Sequence, residues 1–411
     1  MQPPRAEARL LLDACRVAPL KERGAAPSIA AATPATRPAA APAAAVSPSQ
    51  PDIDWERLLA AAERHAVAPL LARHLASSPC GAPSHVLAAL RARYDVNALR
   101  NITLARHLAE LLRGLAAHGV KAMPVKGPAL AIAAYGDLAL REFGDLDVVV
   151  HPGDFDRARA LLGEWGYVPV AALSGVGERT LRATDHHLPL VGPDDGVKVE
   201  LHWTLGRGRL GRDDAWVWSN VRPVLILGLE APTLSWSALL VYLCAHGAAH
   251  CWLRLGWIRD VAGVLQAAPA GELRGAVELA AAASCRRRLA LGIALAHELL
   301  GAPVPEGLEQ GDDDATIALL AGQVRTALFA EDGKGIAGWM AFQCRTLDTI
   351  LDRAGYCLHV LAAPHVADVE AVALPGWLRG LYYVVRPARL LAIRAGARRT
   401  PRPSGPGGDE D

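Results

Sequence analysis

Gly144-Asp145-Leu146-Asp147-Val148-Val149-Val150 is the stretch that decides the fold. Its apolar half predicts a buried β-strand that begins directly after a glycine turn. Because side chains alternate along a strand, Asp145 and Asp147 share one face while Leu146 points to the other. Two carboxylates side by side suit Mg²⁺, which prefers oxygen ligands and keeps room for phosphates and water. The pattern indicates metal-assisted phosphoryl or nucleotidyl transfer, although a solvated acidic pair at a loop–strand junction is also common.

A second strand is predicted upstream over residues 119–125, and Lys126-Gly127-Pro128 follows it. Proline fits the first turn of a helix, where its missing N–H costs nothing, and we expect this helix to continue through Tyr135. Gly127 would let a phosphate approach free backbone amides, and Lys126 would neutralise a triphosphate. A solvated turn lysine is the alternative for Lys126.

A third carboxylate, Glu200, lies in the alternating segment Val197-Lys198-Val199-Glu200-Leu201-His202-Trp203. Alternation of apolar and polar side chains predicts a strand with Glu200 on its polar face. On a strand beside the acidic pair, Glu200 would complete the metal site or act as a general base.

A β-hairpin is predicted to lead into this strand. Residues 186–191 form its first strand, and residues 192–196 supply a turn rich in glycine and proline. His186 and His187 would face opposite sides of the strand, so at most one of them is expected to point at the site. A basic patch follows the hairpin, either a charged loop or a nucleotide contact, at Arg207, Arg209 and Arg212.

These motifs resemble those of the uncharacterised bacterial nucleotidyltransferases of the polymerase-beta-like superfamily. The resemblance runs from Asp52 to about Arg394 and is carried by Asp54-Trp55-Glu56-Arg57-Leu58-Leu59, His65-Ala66-Val67-Ala68-Pro69-Leu70, Lys126-Gly127, Tyr135, Arg141, Gly144-Asp145-Leu146-Asp147, Glu200-Leu201-His202-Trp203, His246-Gly247, His250, Arg254-Leu255, Trp257, Asp260, Leu381-Tyr382-Tyr383 and Arg386-Pro387. Two positions depart from the superfamily's usual pattern. Lys126-Gly127-Pro128 replaces Gly-Ser or Gly-Gly, as in this branch, and Glu200 replaces the more usual aspartate.

The resemblance implies an α+β fold, with a small mixed-sheet nucleotidyltransferase core flanked by N-terminal and C-terminal helical domains. It implies an enzyme that moves an NMP group from ATP or another NTP to an acceptor, with Mg²⁺ or Mn²⁺ as cofactor and release of pyrophosphate. The implied catalytic and metal-binding residues are Asp145, Asp147 and Glu200. The implied phosphate-binding residues are Lys126, Gly127 and Arg141. Arg141 would alternatively pair with the neighbours of Glu142, and the acceptor stays open between a small molecule, a protein and RNA.

Histidines recur on a segment without Asp, Glu, Lys or Arg between Glu230 and Arg254. His246 and His250 would share one helix face, so a buried helix that lines a site is favoured over a membrane span. Asp260 is expected near the same face, where it would orient one of the histidines. These three are possible substrate contacts, with a structural role as the alternative. The HxxxH spacing also fits zinc, but glycine replaces the glutamate of an HExxH motif.

Composition limits the remaining functional classes. The 411-residue chain is 52% hydrophobic and carries a formal net charge of +1, which gives no global electrostatic attraction to nucleic acid. Its 7 cysteines form no CxxC motif, which favours reduced thiols in a cytoplasmic protein. The acidic Glu7 and a short apolar run argue against a signal peptide, and no transmembrane segment is expected.

We predict a chain divided into 1–23 with a short helix, an Ala/Pro-rich linker over 24–51, a helical region over 52–118, the nucleotidyltransferase core over 119–232, a helical domain over 233–399 and a disordered tail over 400–411. Residues 377–399 are basic and aromatic. They would dock on the core or, as the alternative, rest on an anionic membrane surface. Two rivals to the enzyme are a degenerate protein that only binds nucleotide or a partner, and a membrane-surface adaptor in a biosynthetic cluster.

Overall fold

A computed structural model of the chain describes residues 6–16, 53–78, 80–171, 175–193, 196–206, 214–308, 314–330, 335–336 and 338–397. The predicted linker over 24–51, the predicted tail over 400–411 and the basic patch at Arg207, Arg209 and Arg212 lie outside these residues. Within them, the fold is α+β and mainly helical, with a small mixed sheet, as the sequence predicts.

The helices that precede the sheet are α1 (Ala6–Cys15), α2 (Trp55–Arg64), α3 (Ala68–Ser77) and α4 (Ser84–Ala117). Asp54 caps the N-terminus of α2, because its carboxylate accepts a hydrogen bond from the Arg57 backbone N–H at 3.0 Å. On α4, the Asn97 side chain donates to the carbonyl of Ala139 at 2.8 Å, and that of Asn101 donates to the carbonyl of Arg141 at 2.7 Å. These buried amides therefore anchor the loop that leads to the acidic strand.

A five-stranded sheet carries the three predicted carboxylates. Its strands are β1 (Ala122–Pro124), β2 (Asp145–Val150), β3 (Val168–Pro169), β4 (His187–Val191) and β5 (Lys198–His202). They are arranged in the order β1-β2-β5-β4-β3, with β2 and β5 parallel and the other neighbours antiparallel. The chain between β2 and β5 includes α6 (Phe155–Glu164) and α7 (Gly175–Thr184). The predicted hairpin is confirmed by the antiparallel pairing of β4 with β5.

A second hairpin, β6 (Val221–Ile226) and β7 (Leu229–Leu234), was missed in the sequence. Its turn places both Leu227 and Gly228 at positive φ, at 47° and 81°, although leucine rarely occupies such a turn. The hydroxyl of Thr233 donates to the carbonyl of Pro124 at 2.7 Å, which attaches the hairpin to the end of β1.

The remaining helices are α8 (Asp214–Trp218), α9 (Trp236–Ala249), α10 (Leu255–Ala267), α11 (Ala276–Ala282), α12 (Arg286–Leu300), α13 (Asp314–Leu328), α14 (Trp339–Arg345), α15 (Ile350–Ala362), α16 (Val366–Ala371) and α17 (Tyr382–Ala397). No helix in the described part of the chain has the length and apolar character needed to cross a membrane.

The two faces of β2 pack against two different apolar clusters. Leu146, Val148 and Val150 lie in the cluster that contains α4 and α6, whereas Val149 lies in the cluster that contains α9, α10 and α12. Because side chains alternate along a strand, the acidic pair shares the face of Val149. The carboxylates are therefore directed toward the helices of the C-terminal half.

The C-terminal helices dock only partly on the rest of the chain. Tyr382 at the start of α17 is buried, and Arg386 and Arg389 of the same helix pair with the buried Asp368 of α16. Apolar side chains around them stay exposed, among them Trp377 at 82% and Val384 at 62%. These ion pairs attach α17 to α16, whereas docking of this region on the core stays a prediction.

Candidate functional site

Strand pairing brings the predicted carboxylates together. In the parallel register of β2 and β5, Asp147 lies directly opposite Glu200, and Asp145 lies opposite Lys198. The prediction that Glu200 stands on a strand adjacent to the acidic pair is therefore confirmed. Asp147 is buried, whereas Asp145 and Glu200 are half-buried.

Lys126 pairs with the central carboxylate. Its ammonium lies 2.8 Å from Oδ1 of Asp147, and only 14% of its side chain is exposed. Burial opposes the charge, but Asp147 raises the pKa of Lys126 above its usual value. The alternative of a solvated turn lysine is therefore wrong. The positive charge that the sequence predicts for a triphosphate lies next to Asp147 in this structure.

Gly127, the residue after Lys126, has a backbone conformation that favours glycine. Its φ is +54°, a left-handed value that strains residues with a Cβ atom. It begins α5 (Gly127–Leu130), and a π-helical turn over Ala131–Tyr135 continues the helix to the predicted end at Tyr135. The turn therefore connects β1 to a helix directly beside the acidic strand, and a Cβ on Gly127 would lie 3.6 Å from the carbonyl oxygen of Asp145.

His202 is a site residue that sequence reasoning missed. Its Nε2 lies 3.3 Å from Oδ1 of Asp147 and 3.2 Å from Oε2 of Glu200, and its side chain is 4% exposed. The alternation that placed Glu200 on the polar face also placed His202 there, so the signal was present in the segment 197–203. A buried imidazole between two carboxylates links β5 to β2 through the site.

The charges in this group are strongly interdependent. Burial acts to raise the pKa of Asp147, but Lys126 and His202 outweigh it and hold that pKa well below the usual range. Burial and then Asp147 raise the pKa of Asp145. Burial lowers the pKa of His202, but its hydrogen bonds to Asp147 and Glu200 give a net rise. The site is therefore arranged around a negative charge that is fixed on Asp147.

A metal ion fits part of this group. Asp147, Glu200 and His202 each offer one ligand atom, and the three atoms lie within 4.8 Å of one another. Carboxylate oxygens suit Mg²⁺ and Mn²⁺, and the imidazole nitrogen is the better match for Mn²⁺. Asp145 lies outside this trio. Its role as a metal ligand therefore stays a prediction.

Arg141 and Asp260 pair with each other, an arrangement that the sequence did not predict. Nε and Nη2 of Arg141 each donate to one oxygen of the Asp260 carboxylate at 2.9 Å, and the Tyr135 hydroxyl donates to Oδ1 at 2.7 Å. Asp260 is therefore held by Tyr135 and Arg141 and not by a histidine, and Arg141 does not pair with a neighbour of Glu142. Phosphate binding by Arg141 stays a prediction. The prediction for Asp260 failed because the helix that holds His246 ends at Ala249, and Asp260 lies on the next helix, α10.

Close packing explains this ion pair. Gly263 on α10 has no Cβ, and a Cβ there would lie 3.0 Å from the carbonyl oxygen of Ala134. Its absence lets α10 approach the π-helical turn, so Asp260 reaches Tyr135 and Arg141. This three-residue cluster joins the sheet loop to the C-terminal helices, and the charge of Arg141 also acts on Asp145.

α9 presents an aromatic face toward the site. His246 lies between Tyr242 and His250, with ring centroids 6.1 Å and 4.7 Å apart, and Trp257 contacts both histidines. Burial lowers the pKa of His246 well below its usual value, and the charge of Lys126 lowers it further. The charges of Lys126 and Glu200 also act on His250. Electrostatic coupling to these residues agrees with the predicted orientation of the two histidines, whereas their contact with a substrate stays a prediction.

Gly247 completes this face. A Cβ at this position would lie 2.3 Å from the indole of Trp252, so only glycine lets that ring fold over the end of α9. The fold-back depends on a turn in which Cys251 and Trp252 have φ values of 54° and 55°. Gly247 is thereby explained by packing.

The hairpin histidines both approach His202, which contradicts the expectation that at most one would. Ring centroids lie 5.6 Å apart for His186 and His202, and 5.0 Å apart for His187 and His202. β4 begins at His187, so His186 precedes the strand and the alternation rule does not apply to it.

Comparison with known families gives one match, and comparison with curated proteins and solved structures gives none. The matching family is described as uncharacterised nucleotidyltransferase, and its profile covers residues 51–301. That range includes the helices before the sheet, the three carboxylates and the aromatic face of α9. The profile matches more than half of the chain. The acidic pair, the Lys126-Gly127 turn and Glu200 are assembled around one strand pair within that range. The chain therefore belongs to this nucleotidyltransferase family.

Proposed function

We propose that the protein transfers an NMP group from an NTP to an acceptor and releases pyrophosphate in a metal-dependent reaction. The observation that carries the proposal is the parallel register that sets Asp147 opposite Glu200. Asp145 lies two residues before Asp147 on the same face of β2, and Lys126 contacts Asp147. Family membership supports a nucleotide as the substrate. The acceptor class stays open.

Asp145, Asp147 and Glu200 would hold Mg²⁺ or Mn²⁺. When bound, the ion supplies positive charge that neutralises the phosphates and the attacking oxygen. Lys126 would exchange the Asp147 carboxylate for a phosphate of the nucleotide, and the amides after Gly127 would add hydrogen bonds to it. Both groups then hold the triphosphate for attack at its α-phosphorus.

Glu200 would accept the proton of the acceptor hydroxyl. The acceptor oxygen forms a bond to the α-phosphorus, the bond from that phosphorus to the bridging oxygen breaks, and pyrophosphate leaves with the electron pair. His202 donates to Glu200 at 3.2 Å and would keep this carboxylate in position. Tyr242, His246 and His250 would bind the acceptor or the nucleotide from the opposite side.

Labelled nucleotides test this function. Full-length protein is incubated with NTPs labelled at the α-phosphate, with Mg²⁺ or Mn²⁺ and a cell extract, and a parallel incubation uses the γ-label. Transfer of the α-label alone, with release of γ-labelled pyrophosphate, is the expected result. Transfer of the γ-label would make the protein a kinase, and binding without any release would favour the catalytically degenerate rival.

Peripheral membrane contact is a second proposal, favoured by the exposed side chains of the C-terminal region. Trp377, Leu381 and Val384 are 82%, 46% and 62% exposed, and the exposed Arg379 lies among them. Apolar groups beside positive charge suit an anionic lipid surface. Sedimentation with anionic vesicles should deplete the protein from solution, and the double variant Trp377→Ser/Val384→Ser should stay in solution. Equal sedimentation of both proteins would refute this contact.

A further inference from the structure

Three imidazoles converge at the edge of the site. His186, His187 and His202 each offer one ring nitrogen, and the three nitrogens lie within 4.8 Å of one another. Their side chains are 24%, 23% and 4% exposed, so the group is accessible at one side and closed at the other. The backbone register accounts for two of the three, because His187 of β4 pairs directly with His202 of β5.

Carboxylates surround these rings in the arrangement that metal sites use. Oδ1 of Asp185 accepts a hydrogen bond from the His186 backbone N–H at 2.9 Å and lies 2.9 Å from Nδ1 of the same residue, so Asp185 is placed to position this ring. Glu200 lies 3.8 Å from Nε2 of His187 and 3.2 Å from Nε2 of His202, through different oxygens. Nδ1 of the buried His202 has no hydrogen-bond partner among the described residues. A buried imidazole nitrogen without a partner is costly unless a ligand satisfies it.

We propose that His186, His187 and His202 bind a divalent transition-metal ion, with Glu200 as a carboxylate shared with the nucleotide site. Three imidazole nitrogens and one carboxylate oxygen match the donor preferences of Zn²⁺ and Mn²⁺, whereas Mg²⁺ prefers a site of oxygen atoms alone. In the sheet order, β4 lies on the far side of β5 from β2 and Lys126. The ion would therefore add positive charge to the site on the β4 side of β5. This metal site does not depend on the proposed transfer reaction.

Metal content tests the proposal directly. Tag-free, full-length protein is stripped with a chelator, loaded with Zn²⁺, dialysed and analysed for bound metal. One ion per chain is expected. His186→Gln and His187→Gln should lower the affinity at least tenfold, and Asp185→Asn should lower it roughly 10–100-fold through the outer shell. His85→Gln, at an exposed position on α4, is the matched control and should bind as the original protein does.

Cobalt and the carboxylate variant separate the two sites. Co²⁺ should give the visible absorption of a nitrogen-rich, low-coordinate site, and this absorption should be lost in His187→Gln and kept in Asp145→Asn. Loss of the Co²⁺ absorption in Asp145→Asn as well would show a single carboxylate site and would overturn the proposal. Unchanged metal binding by both histidine variants would place the ion elsewhere and would also overturn it. If the protein binds zinc but no Mg²⁺–nucleotide, the proposed function is refuted and the metal site is not. If a histidine variant does not fold by circular dichroism, Asp185→Asn decides.

Discussion

Replacing Lys126 by methionine should remove the cation that pairs with Asp147. The stability of the protein should then depend on a bound divalent metal ion. Lys126 and Asp147 form an ion pair of 2.8 Å with 14% and 2% of their side chains exposed. Methionine keeps the length and apolar contacts of the lysine stem but removes its charge. Asp147 is then left buried beside His202, and a divalent ion can approach the freed oxygen.

The size of the effect follows from the burial of both partners. Removing one member of a buried ion pair costs about 3–5 kcal/mol, because the other charge stays buried without compensation. We expect the lower end of this range here, since His202 lies 3.3 Å from the same carboxylate. An ion that binds only the folded protein returns stability by mass action, about 2.7 kcal/mol at a concentration 100 times its Kd. Metal should therefore restore most of what the substitution removes.

Thermal denaturation with and without Mg²⁺ or Mn²⁺ measures both effects. Lys126→Met should have a lower Tm than the original protein without metal and should gain more in Tm from added metal. Lys121→Met, at an exposed position before β1, is the control and should change neither quantity. A Lys126→Met protein that is as stable as the original and indifferent to metal would refute the argument that Lys126 and a metal ion compete for Asp147.

Three other variants test the roles of single groups. Asp145→Asn should abolish metal-dependent nucleotide binding but keep or raise stability, because burial and Asp147 already disfavour its charge; a clear drop in Tm would contradict this. Glu200→Gln should lower turnover more than nucleotide affinity, since a general base acts mainly in the transition state; equal losses in kcat/KM and binding would make it a ground-state ligand. Burial lowers the pKa of His65 to about 4, so its imidazole binds a proton more tightly in the unfolded chain than in the folded protein. Stability should fall by up to about 3 kcal/mol as the pH drops from about 6.5 to 4, and denaturant titrations of His65→Gln should show a shallower dependence.

The strand periodicity made the carboxylate arrangement predictable. A period of two places Asp145 and Asp147 on one face whatever the rest of the chain does, and the same rule places Glu200 on the polar face of its strand. That β2 and β5 are neighbours follows from no local pattern, but two apolar strands in one small domain have few alternatives. The turn at Gly127 was also predictable, because its Gly-Pro pair carries a local conformational preference.

Long-range partners could not be read from local patterns. The contact of Asp260 with Arg141 joins residues far apart in sequence and depends on Gly263, whose missing Cβ lets two helices approach. The interpretation of His246 and Asp260 as one helical face failed at the turn of Cys251 and Trp252, where the chain adopts positive φ without glycine. Such a conformation is stabilised by tertiary packing, here of the Trp252 ring on Gly247, and carries no local signal.

The position of the site between two packed bodies has a consequence for its chemistry. The acidic face of β2 belongs to the sheet, whereas the aromatic face of Tyr242 and His246 belongs to α9. The Asp260–Arg141 pair links the loop before β2 to α10. A substrate bound between the two faces would contact fixed anions on one side and uncharged rings on the other. Because the pKa of His246 is held well below its usual value, its ring stays neutral at physiological pH and does not compete with a metal ion for the phosphates. Under the proposed function, the positive charge at the reacting phosphate would therefore come from Lys126 and from the metal ion.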